Sequence, residues 1–170
     1  MKTMKALEFG ILNVKMHPHN PEKYYRMMEM LFGLRCLAKI RGDDWGAPFF
    51  IEKISSNAPL DGLYGTFVRF LQIDPQKAWI DIKKLKPILD KDGRPIPQVD
   101  NDLKPNMREI EFVFYPKAHM LFFNSAMISP SMAQKLLTRL CASRVIEKEY
   151  GVIDISNSRP PRNPCKHEVL

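Results

Sequence analysis

Residues 108–115 and 119–124 read REIEFVFY and HMLFFN, two apolar runs separated only by Pro116, Lys117 and Ala118. A three-residue connection with a proline returns the chain antiparallel to itself. This hairpin is the strongest constraint in the chain: it demands a sheet with a buried face, and the remaining segments must supply that face with cover.

The other elements are read around it. Leu7, Phe9, Ile11 and Met16 alternate with Glu8, Asn13 and Lys15 and predict a first strand. Asn20, Pro21 and Glu22 form a helix start, with a capping side chain, a proline at the first helical position and an acid in the first turn. That helix is expected to run to about Phe32 and stop at Gly33, with Tyr24, Tyr25, Met28, Leu31 and Phe32 on one face and Met30 opposite, among exposed cations. Strands are expected at 34–41, 49–54, 64–73 and 79–82, with a turn at Gly42–Asp44. Residues 86–105 read as an extended surface excursion, rich in Pro, Asp and Asn. Ser129 and Pro130 start a second helix to about Ser143, with Met132, Ala133, Leu136, Leu137 and Leu140 inward, and a last strand is expected at 150–155. The order predicts one α+β domain over residues 1–156, a mainly antiparallel sheet with two main helices packed on one face, followed by a basic proline-rich tail at 157–170.

Charge and cysteine content narrow the function classes. The net charge is +7, concentrated at the two ends of the 170-residue chain, while residues 42–103 are slightly acidic. Such a balance favours a polyanionic partner without requiring one. Cys36, Cys141 and Cys165 are an odd number at wide spacing, so neither a disulfide framework nor a zinc knuckle is indicated. No run of about 18 apolar residues is present, and MKTMKALEFG has no apolar leader core, so a cytoplasmic protein without membrane association is expected.

MHPHN at 16–20 places His17 and His19 one residue apart, on the same side of an extended segment. Two readings stay open. The pair can chelate a divalent metal if a third ligand joins from Asp43, Asp44 or His119, or it can simply close a strand, with Pro18 ending the pairing. Asp43 and Asp44 can hold a cation for phosphodiester chemistry, but adjacent acids beside a glycine are also ordinary turn formers. Arg41, Arg69, Lys83, Lys84 and Lys86, interleaved with Tyr64, Phe67 and Trp79, can line a nucleic-acid-binding sheet face, although aromatic residues at strand spacing also make core. No cofactor motif is present.

The stretches MHPHNPEKYY, RGDD, LYGTFVRFLQIDPQKAWIDI, PIPQV, LKPNMREIEFVFYPKAHMLFF and ISPSMAQKLL resemble an uncharacterised bacterial family of unknown function, over about residues 4–156. The resemblance implies a setting near phage-defence or toxin–antitoxin genes and supplies no active site. The resemblance implies further α/β segments past the last strand, where this chain turns to proline. The expected function is a non-catalytic binding or regulatory protein acting on nucleic acid or on a partner protein. The alternatives are a metal-dependent nuclease using His17, His19 and Asp43 or Asp44, and a structural subunit of an assembly. With two confident helices for several strands, part of the sheet is expected to lack cover. That gap predicts a homodimer or a second protein, contacted through Met30 and residues 86–105.

Overall fold

A computed structural model describes residues 8–74, 77–96 and 102–158. In chain order the elements are β1 (Phe9–Lys15), α1 (Pro21–Leu34), β2 (Ala38–Arg41), β3 (Asp44–Lys53), β4 (Leu63–Leu71), β5 (Trp79–Asp81), β6 (Lys86–Ile88), β7 (Arg108–Tyr115), β8 (Met120–Asn124), α2 (Pro130–Cys141), α3 (Arg144–Tyr150) and β9 (Asp154–Asn157). Seven strands form one sheet in the order β2-β3-β4-β7-β8-β1-β9, with every neighbour antiparallel, and β5 pairs β6 in a separate hairpin. The fold is α+β.

Alternation sets the inner face. Leu12 and Val14 of β1, Leu121 and Phe123 of β8, Ile110, Phe112 and Phe114 of β7, and Leu63 and Phe67 of β4 join the apolar sides of α1 and α2 in a single buried cluster. The Asn20 side chain accepts from the backbone N–H groups of Glu22 and Lys23, and Pro21 is helical as the sequence implied. Helix α2 touches both edge strands. Gln134 donates to the Ile155 carbonyl at 2.8 Å and accepts from Asn157 at 2.6 Å, while Arg139 donates to the carbonyl of Lys39. Contact of one helix with both edges requires the sheet to curl around it.

Several expectations are corrected. Helix α1 passes through Gly33 to Leu34, because Arg35, in the left-handed region at φ 50°, closes it instead. Met30 packs against the core rather than presenting a free surface. Asp44 begins β3 instead of ending a turn, and β3 bulges between Pro48 and Phe50. Residues 79–82 do not extend the main sheet; β5 turns back on β6, which forms the start of the expected surface excursion. The described residues add a short third helix to the two main ones expected: residues 144–150 form α3, which displaces the last strand to Asp154–Asn157. Of the excursion, 97–101 lie outside the described residues, as does the tail from 159 on. None of the described helices is long and apolar enough to cross a membrane.

Gly65 lies where a neighbouring strand's backbone comes close. A Cβ there would stand 2.5 Å from the Phe50 carbonyl oxygen and 2.6 Å from the Phe112 ring, whereas one at Gly33 would meet nothing within 4 Å. Gly65→Ala is therefore expected to cost about 1–3 kcal/mol through overpacking. Gly33→Ala is expected to gain up to about 1 kcal/mol by restricting the unfolded chain. Urea denaturation of both variants checks the contrast.

Candidate functional site

The histidines and the acids expected to share a metal do not meet. His17 and His19 follow β1, and His19 adjoins the β7–β8 turn, where His119 lies, with the His19 and His119 rings 4.9 Å apart. Asp44 is at the other end of the sheet, ion-paired with Arg69, which stands opposite Arg108. Between Arg108 and Tyr115 run the eight residues of β7, about 23 Å at ~3.3 Å per residue. Among the described residues no three His, Cys, Asp or Glu side chains are placed to hold a metal ion.

Each cluster has a structural account. The buried Tyr24 hydroxyl accepts the Met16 N–H at 2.8 Å and stands 3.3 Å from His19 Nδ1, tying the β1 exit to α1. His119 is bonded through Nδ1 to Asn13 Oδ1. Burial, and then the neighbouring His19, hold the His119 imidazole below the ordinary histidine value of 6.5. At the far end Arg69 grips Asp44 with a fork, Nε to Oδ1 at 3.0 Å and Nη2 to Oδ2 at 2.9 Å. That hydrogen bonding, supported by the charges of Arg69, Arg41 and Arg108, holds the Asp44 carboxyl below its usual range despite partial burial. Burial pushes the Cys141 thiol up to about 12, which removes it as a nucleophile at neutral pH.

The expected basic strip is not assembled either. Phe67 stacks on Phe112 inside the core at 4.7 Å, and Arg69 is engaged by Asp44. Arg41, also near Asp44, lies on the edge strand β2. Lys83, Lys84 and Lys86 belong to the β5–β6 hairpin, where Asp81 accepts from the Lys83 and Lys84 backbone and pairs with the Lys84 ammonium. A cleft of about 460 Å³ separates this hairpin from Leu71–Asp74.

What the strands do assemble is an apolar outer face. Register places Glu52, Tyr64, Val113, Phe122 and Ile11 in one row across β3, β4, β7, β8 and β1. In the adjoining row Phe50, Thr66 and Glu111 are cross-strand neighbours on β3, β4 and β7, and Asn124 and Phe9 on β8 and β1. Phe9 is 63% exposed, Phe50 43% and Tyr115 40%. A shallow concavity of about 220 Å³ opens between Phe9, Tyr64, Glu111, Val113 and Phe122. Tyr64 donates to Glu111 at 3.1 Å; that bond, burial and the charges of Glu111, Glu109 and Glu52 raise its hydroxyl above the usual value. The Thr66 hydroxyl, in a residue 6% exposed, has no partner among the described residues. The face is thus aromatic and anionic in a chain whose net charge is +7. Its signal in the sequence is the failure of alternation: Val113, Tyr115 and Phe122 stand where a half-solvated strand would carry polar residues.

The profile of one family, described as a domain of unknown function (DUF4747), matches residues 5–158. The chain belongs to that family. The match takes in the whole sheet and all three helices, so both faces of the sheet are features of the DUF4747 region. No curated protein and no solved structure matches the chain.

Two titrations follow from the geometry. A histidine whose folded value is depressed loses stability as pH falls through the ordinary value, because the unfolded chain takes the proton more readily. His119 is expected to titrate below 6.5, and His19→Ala to move its midpoint back toward that value; NMR of the imidazole resonances checks both. For Asp44 the contribution is present above its ordinary value of 3.8 and is lost as pH falls through the lower folded value. Asp44→Asn is expected to cost about 1–3 kcal/mol at pH 7, with the gap from the unaltered protein narrowing in acid, as measured by urea denaturation.

Proposed function

We propose that this DUF4747 protein is a non-catalytic binding module that docks a partner protein on the outer face of its sheet. The observation that carries the reading is the two-row aromatic face centred on Tyr64, Val113 and Phe122, with Phe9, Phe50 and Tyr115 exposed around it. Contiguous exposed aromatic surface of this kind is what protein interfaces use, and its acids form a polar rim. We infer a bacterial phage-defence or toxin–antitoxin setting, for which the support is the resemblance drawn from the sequence. A nucleic-acid partner has less behind it, because the expected cations are scattered over an edge strand, an ion pair and a separate hairpin. The nuclease reading would require His17 and His19 to meet Asp43 or Asp44, and the length of the sheet separates them.

A photo-crosslinking residue at position 122 is expected to join the chain to a second protein in its native cells, and one at the exposed Thr138 of α2 is not. Phe122→Asp should weaken that association by roughly thirtyfold, the loss of about 2 kcal/mol typical of an aromatic anchor. Identical crosslinks from both positions would exclude the outer face as the docking surface.

A further inference from the structure

The concavity between Phe9, Tyr64 and Phe122 has a single acid in its lining, Glu111. The pairing Phe112↔Phe123 sets Glu111 beside Asn124, and Asn124 in turn stands opposite Phe9, so carboxylate, amide and exposed ring follow one another across β7, β8 and β1. Two strand spacings, about 10 Å, separate Glu111 from Phe9, enough for one long side chain to lie flat between them. Of the two Glu111 carboxylate oxygens, Oε1 accepts from the Tyr64 hydroxyl at 3.1 Å, and Oε2 has no hydrogen bond among the described residues.

The charge on this side of the sheet is also uncompensated. Among the described residues Glu52, Glu109 and Glu111 lie in no ion pair, whereas Glu22, Asp44, Asp61 and Asp81 all do. The Tyr64 hydroxyl registers this: the bond to Glu111, burial and the charges of Glu111, Glu109 and Glu52 hold it above its usual value. In a chain with 26 lysines and arginines, a face whose acids are left without a cation is complementary to one brought from outside. Aromatic walls then select the kind of cation. An ammonium is a compact, strongly hydrated point charge, but a guanidinium is flat, weakly hydrated, stacks on ring faces and donates to a carboxylate at the same time. A shallow hollow of about 220 Å³ suits such a flat group.

We propose that the docked partner anchors itself by an arginine laid in this concavity, its guanidinium stacked on Tyr64 and Phe122, flanked by Phe9 and donating to Glu111 Oε2. This deepens the docking reading and rests on it. The partner's docking segment is therefore basic, and its arginine supplies the cation that the outer face lacks.

The test titrates arginine capped at both ends into the isotope-labelled full chain and follows the amide resonances. Those of Tyr64, Glu111, Phe122 and Asn124 should shift together and saturate in the roughly millimolar range, as one stacked, charge-assisted contact at an open site allows, while those of Lys23 and Thr138 stay in place. Capped citrulline, of the same shape without the charge, should shift none of them. Capped lysine should bind about threefold more weakly. Glu111→Gln keeps an acceptor for Tyr64 and should weaken the capped arginine about tenfold. Phe9→Ala, at a ring 63% exposed and outside the core, should weaken it about threefold. Lysine binding as tightly as arginine, citrulline shifting the same resonances, the absence of a saturable shift, or an affinity that survives either variant would overturn the proposal. If crosslinking at position 122 still captures a protein in that case, the docking reading stands and only its anchor falls. If capped arginine binds as expected but crosslinking at 122 captures nothing, the docking reading falls and takes the partner's arginine with it.

Discussion

Everything in this molecule depends on α2 being held at both edges of the sheet. A flat seven-stranded sheet with a single layer of short helices would leave most of one face wet. Here the edge strands β2 and β9 come round to the same helix, Arg139 bonding the Lys39 carbonyl and Gln134 bonding Ile155 and Asn157. The curl lets Leu136, Leu137 and Leu140 reach side chains from most of the strands. It also occupies edge groups that would otherwise invite another chain to pair.

The same curl decides which surface is left for function. The α1 and α2 apolar sides share one buried cluster with the inner residues of the strands; on the outer side Trp45, Ala47, Val68 and Phe70 make a second, small cluster, and beyond it the departures from polar alternation collect in the rows through Tyr64, Val113 and Phe122. The two polar clusters at the sheet ends are better read as fasteners. Tyr24 ties the β1 exit to α1. Asp44 ties β3 to β4, through a fork with Arg69 across 25 residues of sequence.

Local signals are legible in the sequence, and those that need a third dimension are not. The β7–β8 hairpin and the Asn20–Pro21 and Ser129–Pro130 helix starts were legible because alternation and the cap-and-proline pattern act over a few residues. Helix α3 was not, since only Ile146 of its seven residues is buried and no stripe forms. Gly33 misled because its strain-free place in α1 looks like any helix-ending glycine. The sequence offers His119, Asp43 and Asp44 alike as remote groups for His17 and His19; the structure sets only the His119 ring beside His19, and its Nδ1 bonds Asn13, 106 residues away. The outer face was anticipated only as a shortage of cover; its composition emerges when register brings Tyr64, Val113 and Phe122 side by side.

The bond between Arg139 and Lys39 spans 100 residues of chain. During synthesis β2 therefore waits for the helix that secures it, and at about 5–20 residues per second the wait is on the order of 5–20 s. Through that interval Ala38 and Ile40 lack the α2 side of their burial, and the nascent sheet has an open rim. A fold closed by a late helix spends its most adhesive moments on the ribosome.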